Sequence, residues 1–140
     1  MCKYCMNSQL IIIDTGYYQL PKSSLLYLPF KVPLGEQVLF TCAHSNFFKN
    51  QNWSVRLWIS DTIQGDSITQ LPQANLAYVT PLKLPVLFGV YDVTYRTLPQ
   101  PSPAVWIAPV APMITYYLNI QNMENKDNGF YLTSQTTPIA

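Results

Sequence analysis

Short stretches in which hydrophobic and polar residues alternate recur along the chain, and they predict β-strands rather than helices. The clearest lies at residues 53–60 (WSVRLWIS), where every second side chain from Trp53 to Ile59 is hydrophobic and the positions between them carry Ser54, Arg56 and Trp58. Alternation with a period of two places hydrophobic side chains on one face of a strand. Nowhere does the spacing typical of a helix persist for about ten residues.

The other predicted strands show the same alternation, or short runs of β-branched and aromatic residues bounded by proline, glycine or asparagine. With residues 53–60 they are 9–14, 25–32, 37–44, 87–95, 104–108, 114–122 and 130–135, with weaker candidates near Ile68 and at 76–79. Pro29 suits an edge strand, residues 33–36 (PLGE) predict a turn, and residues 17–24 predict an irregular link. About seven to nine short strands predict an all-β protein with a single antiparallel β-sandwich, of either jelly-roll or immunoglobulin-like topology.

The closing segment, ITYYLNIQNMENKDNGFYLTSQ, predicts a hairpin of two strands around a polar turn. Asn128-Gly129 is a residue pair favoured in such turns. Its inward side chains are predicted to be Tyr116, Leu118, Ile120, Phe130 and Leu132. Its outward side chains are predicted to be Tyr117, Asn119, Gln121, Tyr131 and Thr133, an uncharged set suited to contact another chain.

The 140 residues show no internal repeat and predict one domain. We expect an N-terminal arm with one short strand at residues 1–24, the sandwich at 25–135 and a loose tail at 136–140. No apolar run approaches the roughly 20 residues that span a bilayer, and the first residues lack the apolar core of a signal peptide. We therefore expect no membrane contact, and an odd count of three cysteines favours reduced thiols and synthesis in the cytoplasm.

Charge is scarce, since 11% of the residues are charged while 14% are aromatic and twelve are proline. Eight basic and seven acidic residues are scattered singly and give a net charge of +1. The sequence has no cluster of basic residues, so a nucleic-acid partner is not expected. A net charge near zero favours association, so a homo-oligomer is expected.

Few groups are available for catalysis. The chain has one histidine, His44, and no GxSxG, HExxH, P-loop or GxGxxG motif. Most of the acidic residues fall at predicted turns, where they commonly accept hydrogen bonds from the backbone. We therefore predict no enzyme activity, no catalytic residue and no cofactor.

Two kinds of metal site are weaker alternatives. Cys2, Cys5, Cys42 and His44 have zinc-binding side chains, but Cys42 also continues an apolar strand face, where cysteine is an ordinary core residue. The oxygen-rich loops at 61–66 and 124–129 could hold calcium, but such residues usually form turns. The prediction is that no metal is bound.

The aromatic residues are the remaining candidates for function, because the chain has ten tyrosines and three tryptophans. Exposed aromatic rings anchor protein interfaces or stack on sugar rings. The predicted interface or glycan-stacking residues are Arg56, Trp58, Trp106, Tyr117 and Tyr131. The alternative is that these rings are covered within the fold.

Three segments, LPFKVPLGEQVLFTC, WSVRLWISDTIQGDSI and ITYYLNIQNMENKDNGFYLTS, follow one another between about residues 28 and 135. They resemble β-sandwich domains with a strand after a VPxG turn, such as bacterial pre-peptidase C-terminal domains and jelly-roll or immunoglobulin-like modules. The RLWIS-like strand with a closing YYLN-type hairpin is also similar to small structural proteins of tailed bacteriophages. Since no secretion signal is expected, the phage resemblance is favoured.

The resemblance implies a structural protein of a virus particle, such as a capsid decoration, tail or fibre-associated subunit, made in the host cytoplasm. Its expected partners are other virion proteins or copies of itself. The alternative function is a carbohydrate-binding module that recognises a surface glycan through exposed tryptophan and tyrosine.

Overall fold

The computed structural model describes residues 13–44, 53–68, 87, 89–95, 104–108 and 110–138. All regular structure within these ranges is β-strand. No helix of the described residues is long and apolar enough to cross a membrane. The strands are β1 (Gly16–Leu20), β2 (Leu25–Phe30), β3 (Glu36–His44), β4 (Trp53–Ser60), β5 (Tyr91–Tyr95), β6 (Ala104–Ala108), β7 (Tyr116–Asn122) and β8 (Asn128–Pro138).

The strands form two four-stranded antiparallel sheets, which confirms the predicted β-sandwich. Sheet I has the order β1-β8-β3-β6 and sheet II the order β2-β7-β4-β5. Each strand pairs with the one equally far from the other end of the series: β1 with β8, β2 with β7, β3 with β6 and β4 with β5. The additional pairs β3·β8 and β4·β7 complete the sheets.

The register shows how this pattern arises. The residue numbers of facing Cα partners add to 148 in β1·β8 and β4·β5, and to 146 in β2·β7 and β3·β6. The strands are therefore paired like one long antiparallel hairpin whose double strand is rolled up on itself. This is the strand order of an eight-stranded jelly roll, which decides between the two predicted topologies.

The predicted closing hairpin is wrong as a pairing, although both of its strands exist. β7 pairs with β2 and β4 in sheet II, whereas β8 pairs with β1 and β3 in sheet I. Asn128 and Gly129 belong to β8, where they face Leu20 and Gln19. A strand's own side-chain pattern specifies which face is buried but not which strand lies beside it.

The two ends of the described chain also differ from the prediction. β1 occupies Gly16–Leu20, so residues 17–20 of the predicted irregular link are in a strand. This strand buries Leu20 on its inner face. The predicted strand at 9–14 is absent at residues 13 and 14, and its earlier residues lie outside the described ones. β8 continues to Pro138, which faces Glu36 in β3, so residues 136–138 are not a loose tail.

Several local predictions are confirmed. The PLGE turn closes through a hydrogen bond of 3.1 Å from the Glu36 N–H to the Pro33 carbonyl, with Gly35 at a φ of 80°, as a type II turn requires. Pro29 lies in β2 at the edge of sheet II.

The weak strand predicted near Ile68 is not present at Ile68 itself, which is not in a strand. Its N–H donates to the Ile59 carbonyl over 2.8 Å. The weak candidate at 76–79 lies outside the described residues.

The core lies between the two sheets and is rich in aromatic rings. Trp53 of sheet II stacks on Phe130 of sheet I at 5.8 Å, and Tyr18 stacks on the same phenylalanine at 5.6 Å. Phe30 meets Phe40 edge to face at 5.2 Å, again across the sheets. The inward residues predicted for the last two strands are all buried: Tyr116, Leu118, Ile120, Phe130 and Leu132.

Candidate interaction surfaces

The outer face of sheet I carries no charged side chain on its described strands. Because side chains alternate along a strand, the buried positions fix which residues point outward. These are Tyr17, Gln19, Gln37, Leu39, Thr41, Ala43, Val105, Ile107, Gly129, Tyr131, Thr133, Gln135 and Thr137. An uncharged sheet face can approach a similar face without like-charge repulsion.

Only part of this face is open. Gln37 is 1% exposed and Ile107 is fully buried, so the side of the face formed by β6 and the start of β3 is covered. The exposed side chains lie on the two neighbouring strands β1 and β8. We define them as the uncharged patch, which consists of Tyr17, Gln19, Tyr131, Thr133 and Gln135.

Two tyrosines dominate the uncharged patch. Tyr17 is 39% exposed and Tyr131 is 50% exposed, and their rings meet edge to face at 5.7 Å. The Tyr17 ring also lies directly over Gly129, where an added Cβ would overlap it. Glycine at this position lets the ring lie against the β8 backbone, so the orientation of Tyr17 is fixed by the sheet.

The outer face of sheet II differs because it carries an ion pair. Arg56 Nε donates to Asp92 Oδ1 over 2.8 Å, and Arg56 Nη2 donates to Asp92 Oδ2 over 3.1 Å. The hydrogen bond from Arg56, reinforced by its charge, lowers the pKa of Asp92 from its ordinary value of 3.8. Both side chains are exposed, so the pair fixes the direction of Arg56 more than it stabilises the fold.

Trp58, beside Arg56 on β4, is half-buried. Its Nε1–H donates to the carbonyl of Gly65 over 3.0 Å. Gly65 belongs to the turn after β4, which is closed by a 3.1 Å hydrogen bond from the Gly65 N–H to the Thr62 carbonyl. The indole is therefore held between its strand and this turn, with one polar atom satisfied inside the fold.

Asn119 contradicts its predicted outward exposure, since it lies on the outer face of β7 but is fully buried. The register places it between Tyr27 on β2 and Trp58 on β4, so two large rings flank a smaller side chain. Its Nδ2 donates to Ser60 Oγ over 2.9 Å. Local alternation cannot show that neighbouring strands cover an outward residue.

An open cleft lies on this face of sheet II, beside Trp58. Its volume is about 440 Å³, and its walls include Arg56, Trp58, Gln64, Asp66 and Gln121. The residues come from β4, from the turn after it and from β7. Planar amide, guanidinium and carboxylate groups thus surround one aromatic ring.

The five predicted surface residues therefore do not form one site. Arg56, Trp58 and Tyr117 are on the outer face of sheet II, whereas Tyr131 is on the outer face of sheet I. The prediction that Trp106 is exposed is wrong, because it is 3% exposed and its ring packs 5.8 Å from Phe40 in the core. Trp106 falls on the inner face of β6, a side that its proline-rich surroundings did not reveal.

The sequence also missed Gln64 as a wall of the cleft. No pattern around it marks it, because a glutamine in a polar turn is common. Its position depends on the turn folding back over β4, which is visible only in the structure.

Among the residues that the structure describes, the candidate metal ligands do not lie together. Cys42 is fully buried beside Val38 and Phe40 in the core, which agrees with its interpretation as an ordinary core residue. Cys2, Cys5 and the His44 side chain lie outside the described set. In the proposed calcium loop at 124–129, Asp127 Oδ1 accepts from the Lys22 N–H over 2.9 Å. No group of three or more His, Cys, Asp or Glu side chains placed to hold a metal occurs among the described residues.

No protein-family model and no curated protein matches the chain. Among solved structures, it is similar to a chain in the structure of the empty head of turnip yellow mosaic virus. The identity is 10% and the TM-score 0.35, and the alignment covers 94% of this chain and 82% of that chain. At these values the likeness carries no argument about what this chain does.

Proposed function

We propose that the chain is a non-enzymatic structural subunit of a virus particle, and that it acts through contacts with other subunits. The observation that carries the proposal is the uncharged patch on β1 and β8, which combines two exposed tyrosines with amide and hydroxyl side chains. Interfaces are enriched in tyrosine and depleted of charge at their centre. The partners are copies of the same chain or other virion proteins.

The size of the uncharged patch indicates what kind of association to expect. Two neighbouring strands of about five residues cover on the order of 200 Å², whereas a stable pairwise interface buries about 800 Å² on each partner. The uncharged patch alone therefore supports only weak association. Many weak contacts acting together hold a multi-subunit particle, and this is the setting the proposal requires.

The architecture supports the same class of function by analogy. Eight-stranded jelly rolls occur in viral capsid domains and in lectins, although a fold by itself does not fix a function. Within virus particles, the sequence likeness to small tailed-phage proteins favours a capsid decoration, tail or fibre-associated subunit. Localisation in the virion, after synthesis in the host cytoplasm, follows from this proposal.

A matched pair of tyrosine variants tests the role of the uncharged patch. Tyr17 and Tyr27 are 39% and 38% exposed, and each meets another tyrosine edge to face, Tyr131 and Tyr117 respectively. They lie on edge strands of opposite sheets. Sedimentation velocity over a wide concentration range should show weak self-association that Tyr17→Lys abolishes and Tyr27→Lys leaves unchanged.

A chain that stays monomeric up to about millimolar concentration excludes copies of itself as the partner. Equal loss of association in both variants contradicts a role for the uncharged patch in self-association. Mass spectrometry of intact particles provides the second test. The chain should be recovered from purified virions in many copies, and its absence from them would reject the structural role.

A further inference from the structure

We propose that the cleft beside Trp58 binds a neutral saccharide of one or two sugar rings. This goes beyond the assembly role, since the cleft lies on sheet II and the uncharged patch on sheet I. Its volume of about 440 Å³ falls toward the lower end of the range of small-molecule sites, roughly 300–1,000 Å³. A ligand of one or two rings fits that space.

The chemistry of the walls matches a sugar. The Trp58 ring offers an aromatic surface for the C–H face of a pyranose. Gln64 and Gln121 each present an amide with donors and an acceptor, and Asp66 presents an exposed acceptor. Arg56 uses two of its N–H groups on Asp92 and keeps others for a ligand hydroxyl. Vicinal hydroxyl groups need this mixture of donors and acceptors.

The charges favour a neutral ligand over an anionic one. Asp92 already balances the charge of Arg56, and the Asp66 carboxylate, which also lines the cleft, repels an anion. An anionic ligand would have to compete with Asp92 for the guanidinium. A neutral sugar can bind without breaking that pair.

The cleft is preorganised before any ligand arrives. The 3.0 Å hydrogen bond from Trp58 Nε1 to the Gly65 carbonyl fixes the indole, and the ion pair fixes Arg56. Rigid side chains lose little conformational entropy on binding. Packing favours glycine at position 65, because a Cβ there would collide with Thr62.

Gln64 combines a left-handed backbone conformation with a place in the wall of the cleft. It is the third residue of the turn from Thr62 to Gly65 and has a φ of 55°, in a position that type II turns usually fill with glycine or asparagine. Ser23 and Met113 share the left-handed φ, but they do not line the cleft. Backbone strain at a residue whose side chain lines a cleft is typical of binding sites.

The test uses the full chain and a panel of neutral methyl hexosides and disaccharides, followed by ligand-observed saturation-transfer NMR. At least one panel member should bind saturably. Trp58→Ala should weaken that binding at least tenfold, in line with the loss of an aromatic hot spot. Tyr131→Ala, which removes an exposed ring from the other sheet, should leave the affinity within about twofold.

Gln64→Gly separates binding from folding. Glycine relieves the left-handed backbone, so the melting temperature should not fall, whereas the affinity for the sugar should drop about tenfold, as expected when a polar contact with the ligand is lost. The proposal is overturned if no panel member binds, or if Trp58→Ala and Gln64→Gly bind as tightly as the unmodified chain. It is also overturned if Tyr131→Ala weakens binding as much as Trp58→Ala does.

Discussion

Trp53 and Asn122 join two strands of sheet II through a side-chain hydrogen bond, in which the indole Nε1–H donates to Asn122 Oδ1 over 3.1 Å. The same Oδ1 accepts from the Glu124 N–H over 2.9 Å. The Asn122 Nδ2 donates to the carbonyls of Leu20 and Lys126, over 3.1 and 2.9 Å. One buried amide thus fastens β4, the end of β1 and the connection from β7 to β8.

Asn122→Ala should therefore destabilise the fold strongly. The substitution leaves several buried donors and acceptors without their partner, and we expect the free energy of unfolding to fall by about 3 kcal/mol. Urea denaturation measures this loss. Gln121→Ala, a half-buried neighbour on the outer face, serves as the control and should cost less than about 1 kcal/mol. An equal loss of unfolding free energy in the two variants would show that the hydrogen bonds of Asn122 add no particular stability.

Trp106→Ala tests the assignment of this tryptophan to the core. Removing a ring that is 3% exposed should lower the free energy of unfolding by about 3–5 kcal/mol. Tyr131→Ala removes a ring that is 50% exposed and should cost less than about 1 kcal/mol. Thermal or urea unfolding distinguishes the two, and a mild effect at Trp106 would restore its predicted place at a surface.

Asp92 should titrate below its ordinary value of 3.8, because the hydrogen bond from Arg56 lowers its pKa in the folded state. A depressed folded pKa stabilises the fold at pH values above 3.8, and this contribution is lost as the pH falls through the folded pKa. Carboxyl-detected NMR follows the titration directly. In Arg56→Gln the pKa of Asp92 should return toward 3.8, and in about 1 M salt the shift should shrink. Titration at or above 3.8 in the unmodified chain would contradict the pairing.

The last residues of β8 should contribute to stability. Thr136 faces Val38, and Thr137 Oγ1 accepts from Gln37 Nε2 over 3.3 Å. The free energy of unfolding should be about 2 kcal/mol lower for a chain that ends at Gln135 than for a chain that ends at Pro138. The shorter chain loses the last backbone pairs with β3 and the hydrogen-bond partner of the buried Gln37 side chain. Equal unfolding midpoints would mean that residues 136–138 behave as the loose tail that the sequence predicts.

For the candidate sites, the sequence predicted the residue types but not their grouping. Arg56 and Trp58 were recognised because Trp58 is an aromatic residue on the polar face of residues 53–60, beside Arg56, and both line the cleft. Gln64 and Asp66 reach the same cleft only because the turn after β4 folds back over the strand. Tyr131 points outward as predicted, but it lies on sheet I, whereas Trp58 lies on sheet II.

The sequence by itself determined where most strands lie and which of their side chains are buried. Trp53, Val55, Leu57 and Ile59 are buried as their alternation predicts, because the period of two is a property of each strand alone. Tertiary structure decided the partners: β7 and β8 are neighbours in sequence but lie in different sheets, and β1 pairs with β8 across nearly the whole chain. Pairing depends on contacts between distant strands with similar patterns, and the packing of both sheets around one core is what selects among them.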